Sequence, residues 1–261
     1  MDFNSQTRNG GVKVKEFVVT SSGSAHHLGG LAIDDTGVVV FPIINRYLIV
    51  NVCEGPKGKI VLRSDRGDLS YTSDYFFQHQ RDFFPYCASL LEFFGIKDGI
   101  VISSYFLFNL DEAFHSAPFF VALTKALACY LDQEVNLLDV AQAVDPEGGK
   151  FLFGLSMVAN SDDKGAFVRF DGEVVDDFEL DFLTNFVILP NFSNFMLLQT
   201  NCRDVLLRLK IKDLKGLKVV LDHAKEKLED EFRSKLGPAY PVGSFLITDE
   251  KKWWERVLKK R

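Results

Sequence analysis

Cysteine is scarce and scattered in this chain. Cys53, Cys87, Cys129 and Cys202 lie far apart and form no C-x-x-C pair. Nothing in that spacing makes a disulfide framework or a zinc site. Cys87 and Cys129 stand in apolar, helical contexts and are expected as buried free thiols. Tryptophan and tyrosine are also few, 2 and 7 against 25 phenylalanines. Phenylalanine packs without needing a hydrogen-bond partner, so a Phe-heavy interior is expected. No apolar run is long enough to span a bilayer, because residues 38–52 are interrupted by Pro42, Asn45 and Arg46. The first residues show no apolar core of a signal peptide. A soluble, cytoplasmic setting without a membrane partner is the expectation. Positive charge is in deficit, 30 Lys and Arg against 36 Asp and Glu for a net −6, which argues against nucleic acid as a partner. The basic end (Lys251, Lys252, Arg256, Lys259, Lys260, Arg261), with Trp253 and Trp254, reads as an amphipathic helix docked on its own domain. Walker, dinucleotide and zinc motifs are missing.

What remains is an ordinary globular pattern with 47% hydrophobic residues. Residues 13–20 alternate as a strand and lead into a Ser/Gly loop, SSGSAHHLGG. Two β-branched runs follow between 38 and 52, broken near Asn45, then short strands at 59–63 and 98–105. Residues 75–95 carry apolar side chains at helical spacing up to Gly95. Residues 116–132 form the clearest helix, with Ser116 as N-cap and Pro118 in the first turn, and 135–144 form another. Strands at AFVRFDG, NFVILP and NFMLLQT, a long helix over 215–236 and a strand at 243–248 complete the pattern. Strands and helices mix without strict alternation, so the class is α+β. The expected boundary at Gly148-Gly149 divides the chain into 1–150 and 151–261.

Residues 21–45, SSGSAHHLGGLAIDDTGVVVFPIIN, resemble the first motif of galactokinase-type GHMP small-molecule kinases, retaining Gly23, Gly29, Gly37, Ile44 and Asn45. SAPFFVALTKALACYL resembles the helix after that family's ATP loop, and GLSMVANSDDKGAFVRFD its G-I-M-D-Q segment. The resemblance covers roughly residues 15–200 and implies a two-domain fold. An N-terminal ATP-type α/β domain would precede a ferredoxin-like C-terminal domain, here short, as if a segment after about 203 were removed. It also implies Mg-ATP as cofactor and a sugar or small alcohol as substrate.

Set against that motif, the chemical positions are lost. The phosphate loop falls at residues 110–116, where its glycines are absent and Asp111 and Glu112 stand beside His115. A carboxylate 4 Å from a phosphate opposes it by about 4 kcal/mol at an effective dielectric near 20, whereas at a helix start the same residues suit the dipole. The catalytic Asp falls at Met157, or at Ser156 with a one-residue shift, and neither accepts a proton near neutral pH. The motif's Arg, Glu, His and sugar-binding Asp fall at Ser24, Gly30, Leu31 and Ile33. Asp34 and Asp35 lie one step away and are the acidic candidates for a sugar contact or a base, although DDTG is also a turn sequence.

No metal site is expected. His26 and His27 with Asp34 and Asp35 could be imagined as one, but adjacent histidines on a strand point oppositely. His115 and Ser116 lack the setting of a nucleophile and base, and Asp162-Asp163 reads as a hairpin turn. The expectation is a non-catalytic binding or regulatory protein, a pseudokinase, with a sugar-like ligand or a protein partner and no cofactor. Asp34, Asp35, Asn45 and Ser116 are its ligand residues. The alternative is an active ATP-dependent sugar or small-alcohol kinase with Asp34 or Asp35 as base.

Overall fold

The computed structural model describes residues 20–64, 67–80, 84–105, 113–190, 196–243 and 245–250. Expectations for residues 13–19, the basic end, and Asp111 and Glu112 lie outside them, as do the side chains of His115 and Ser116.

The frame is one long hairpin, β1 (Thr20–Ile33) and β2 (Gly37–Glu54). SSGSAHHLGG is therefore strand, not loop. Its small residues serve close packing: a Cβ at Gly23 would lie 2.0 Å from the carbonyl oxygen of Ala122, and one at Gly29 2.6 Å from the Phe41 ring. The break near Asn45 is a bulge within β2. Register passes from Leu28 opposite Pro42 to His26 opposite Tyr47, and Asn45 takes a positive φ of 60°. At the far end of β2, β5 (Ile100–Tyr105) pairs antiparallel, followed outward by β3 (Lys59–Ser64) and β4 (Gly67–Thr72). Along the near end of β2 runs β6 (Lys164–Arg169), then β7 (Val174–Glu179). The seven-stranded sheet thus takes its last two strands from beyond the boundary expected at residue 150.

Alternation puts a different core on each face. Val38, Val40, Leu48, Val50 and Val52 meet helices α2 (Pro85–Phe93), α3 (Ala113–Tyr130), α4 (Leu137–Val144) and α5 (Gly149–Ala159). Val39, Phe41 and Ile43 face the second layer. That layer comprises a 3-10 turn (Leu180–Asn185), helices α6 (Cys202–Lys210), α7 (Leu214–Glu226) and α8 (Asp230–Leu236), and an antiparallel sheet in which β10 (Phe245–Thr248) lies between β8 (Val187–Pro190) and β9 (Tyr240–Val242). The interior is phenylalanine-rich as expected, with Phe41 edge-on to Phe182 at 5.5 Å.

Several element boundaries differ from expectation. The 75–95 helix is two, α1 (Ser73–His79) and α2, and Pro85 opens the second because a first-turn proline gives up no bond. Helix α3 starts three residues early, so Ser116 is inside its first turn and not its cap, and Pro118 is interior. Helix α5 and strand β7 carry no clear pattern in sequence. The 215–236 helix is split between α7 and α8, and Asp213 caps α7 by accepting the Gly216 N–H at 2.9 Å. NFMLLQT contributes only isolated bridges, Met196 to Gly243 and Gln199 to Ile33. Asp162 and Asp163 lie in the turn from α5 to β6, not in a hairpin. Cys87 is buried, its thiol pushed up to about 12 by desolvation, whereas Cys129 is exposed on α3.

Gly23→Ala should destabilise the fold by about 1–3 kcal/mol, since the added methyl forces α3 off β1. An unchanged urea midpoint would show that the contact has room to give.

Candidate functional site

The expected site residues do not converge. Asp34 and Asp35 form the β1–β2 turn, while Asn45 is exposed at the β2 bulge on the order of 20 Å up the strand. Ser116 belongs to the first turn of α3. Two separate places therefore come under consideration.

The first is a cleft of about 450 Å3 at the hairpin tip, lined by Ile33, Asp34, Asp35, Phe170, Gln199 and Thr200. Its frame is rigid. The Ile33 N–H donates to the Leu198 carbonyl at 3.0 Å, and the Thr200 N–H donates to the Ile33 carbonyl at 3.1 Å. One Asp34 oxygen accepts from the Thr36 N–H (2.8 Å), the Thr36 hydroxyl (2.6 Å) and the Gly37 N–H (3.3 Å). The other accepts from the Cys202 N–H at 2.9 Å, at the start of α6. Partial burial opposes ionisation of Asp34, but these donors prevail and hold its carboxyl below the usual range. Burial and the Asp34 charge push the Cys202 thiol up. Asp34 is thus a structural anchor, and the turn expected of DDTG is its setting. Asp35 is the exposed carboxylate of the cleft, and Phe170, steadied edge-on by Phe151 at 5.2 Å, is its apolar wall.

The second place is the middle of β1, beside the position matched to the family's catalytic Asp. His26 is buried between two acceptors, the Ile43 carbonyl oxygen 3.3 Å from Nδ1 and an Asp162 carboxylate oxygen 3.0 Å from Nε2. Each ring nitrogen thus faces a protein oxygen within hydrogen-bond distance. The Tyr47 ring lies 4.2 Å from it, and the Lys125 ammonium donates to the Ser24 carbonyl at 3.0 Å. His27 turns to the opposite side, toward Phe245 in the second layer, and neither histidine meets Asp34 or Asp35. Burial, then the charges of Arg46 and His26, lower the His27 value to about 4. Nearby on α5, Met157 is 48% exposed and Ser156 is buried with its hydroxyl donated to the Leu152 carbonyl at 2.6 Å. Among the described residues no cluster of three His, Cys, Asp or Glu side chains is arranged for a metal.

The Asp162–His26 pair and the cleft residues Phe170, Gln199 and Thr200 were not legible as site residues. They come from distant segments, and nothing in their local sequence marks them. The exception is Asp162, whose place just after the matched catalytic segment was a usable signal.

The unfolded chain takes up a proton on His27 near its ordinary 6.5, whereas the folded chain does so only near 4. Stability from this difference is complete above pH 6.5 and declines by about 3 kcal/mol as pH falls toward 4. His27→Gln should flatten that decline in urea midpoints measured across the window. Asp34 is separable, because its contribution persists above its ordinary 3.8 and is lost only at lower pH.

No protein-family model matches the chain, and no curated protein matches it. Among solved structures it is similar to a Campylobacter jejuni protein assigned as a sugar kinase, at 14% identity over 95% of this chain and 94% of that one, with a TM-score of 0.54. It is similar to mevalonate diphosphate decarboxylase from Staphylococcus aureus at 11% identity, 94% and 92% coverage and a TM-score of 0.52. A mevalonate kinase matches at 9% identity, 94% and 96% coverage and a TM-score of 0.53. These likenesses establish the fold, which is that of the GHMP small-molecule kinases, α+β as expected. The alignments span 92–96% of those chains. No helix among the described residues is long and apolar enough to cross a membrane.

Proposed function

We propose that this chain is a non-catalytic binding or regulatory protein built on the GHMP kinase scaffold. One observation carries the reading: the position matched to the catalytic Asp is an exposed methionine, Met157, and its neighbour Ser156 is spent on the Leu152 carbonyl. Phosphoryl transfer to an alcohol needs a positioned acceptor for the hydroxyl proton. Neither residue supplies one, and His26 is engaged on both nitrogens. A Mg-ATP group would meet no base at this position. Residues 110–112 of the matched phosphate loop lie outside the described residues. What the scaffold retains is a place for a small polar ligand of sugar-like size, the hairpin-tip cleft, whose volume falls within the usual range for ligand sites.

A second reading has one observation in its favour. Asp35 is exposed in that cleft and, unlike Asp34, is not consumed by backbone donors. In an ATP-dependent sugar or small-alcohol kinase it would be the base, with Asp34 serving only to hold the turn.

The two readings separate in one experiment. Melting is followed with Mg-ATP, ADP, mevalonate, and free and phosphorylated sugars, while ATP turnover is measured in parallel. The first reading expects no turnover above background with any alcohol. A ligand at 100 times its dissociation constant should add about 2.7 kcal/mol of stability, a shift of a few degrees. Turnover that disappears in Asp35→Asn would overturn it in favour of the kinase.

A further inference from the structure

The three most exposed large apolar side chains among the described residues are Leu207, Ile211 and Val219, at 53%, 59% and 68%. All three belong to the hairpin formed by α6 and α7. Both helices bury their other faces in the same layer, through Val205, Leu206 and Leu209 on one and Leu217 and Leu221 on the other. Their outer faces therefore share one solvent side. On α6 the outer stripe reads Arg203, Leu207, Ile211 at i, i+4, i+8, and on α7 it reads Lys215, Val219, His223 at the same spacing. Each stripe is a cation followed by an aliphatic side chain.

Charge singles this hairpin out. Residues 202–227 carry eight Lys and Arg against four Asp and Glu, in a chain whose net charge is −6. Most of those cations are internally committed. Lys210, Lys212 and Lys218 pair with Asp176, Asp181 and Asp249, Lys225 donates to the Gly237 and Ala239 carbonyls, and Arg208 bridges Asp204 and Asp213. Arg203 and Lys215 make no ion pair with the described residues. The stripes thus present aliphatic side chains flanked by uncommitted positive charge.

We propose that the outer face of α6 and α7 is a docking surface for an acidic amphipathic helix of a protein partner. Such a helix would lay its apolar stripe along Leu207, Ile211 and Val219 and set carboxylates against Arg203 and Lys215. Two copies of this chain meeting face to face would oppose like charges. An anionic membrane is the poorer fit, because among the described residues the patch holds no aromatic anchor and only three uncommitted cations, Arg203, Lys215 and Lys227, each worth about 1 kcal/mol at a lipid surface. Three aliphatic side chains make a small contact, suited to a transient association. The surface stands whether or not the chain turns over a substrate.

The test is amide chemical-shift mapping on the full chain with two synthetic helices of identical leucine pattern, one flanked by glutamates and one by lysines. The acidic helix should shift residues of α6 and α7, bind more weakly with added salt, and lose about tenfold or more in affinity to a Leu207→Ser, Ile211→Ser double variant. Both positions are exposed, so the variant should melt with the parent, and a charge-reversed Arg203→Glu, Lys215→Glu variant should prefer the lysine helix. Shifts elsewhere, equal binding of both helices, or no binding of the acidic helix would overturn the proposal. So would variant-sensitive binding to phosphatidylserine vesicles without helix binding, or variant-sensitive growth of mass with concentration.

Discussion

The β1–β2 hairpin is buried on both faces along residues 26–32 and 37–43, and that double burial constrains everything packed on it. Because side chains alternate, a slip of one residue would send Val38 and Val40 into the layer built for Val39, Phe41 and Ile43. The sheet, the helical layer over α3 and α5, and the second layer with its own small sheet all take their positions from this ribbon. Two devices let one ribbon serve both layers. Gly23 brings the α3 backbone within reach of β1, and the bulge at Asn45 bends β2 where its outer partner changes from β6 to β5.

Such a scaffold does not rest on catalytic side chains. Most of the residues that hold the hairpin are apolar or glycine. Asp34 adds a polar contact with the same structural effect. Its carboxylate joins the hairpin turn to the start of α6, so a group at the lip of a cleft works as a rivet between layers. His26 does the same between β1 and the turn after α5. Asp34 and His26 both organise backbone, and the other residues lining the hairpin-tip cleft sit around Asp34.

The sequence was informative where pattern and packing coincide. The β-branched runs of β2, the apolar length of α3 and the spacing of Gly23, Gly29 and Gly37 carried the fold, and Met157 at the matched acid position carried the expectation of no base there. It misled where composition and packing part company. SSGSAHHLGG has the composition of a loop, but its small side chains are what a helix lying against a strand requires. Helix α5 is apolar nearly all round because it is nearly all buried, so it shows little periodicity. The His26–Asp162 pair joins residues far apart in the chain, and no local rule reaches that distance. Asp34 and Asp35 were legible as a turn and as acids, but which of the two faces the cleft unencumbered depends on the N–H of Cys202.

The route by which β2 acquires its neighbours also governs how the chain can assemble. Its far half pairs with β5 and its near half with β6, which begins only at Lys164. Until residues up to Arg169 have left the ribosome, the near half of β2 presents an unpaired, strongly apolar edge, the kind that invites association between chains. The β3–β5 pairing is parallel and spans a shorter stretch of chain, Ile60 meeting Ile100 where Val40 meets Ala166. Pairing residues as far apart in sequence as Val40 and Ala166 makes closure of the near half of β2 slow. A nascent chain of this protein has its longest exposure to aggregation just before β6 docks, so shielding of the hairpin during synthesis bears directly on its yield.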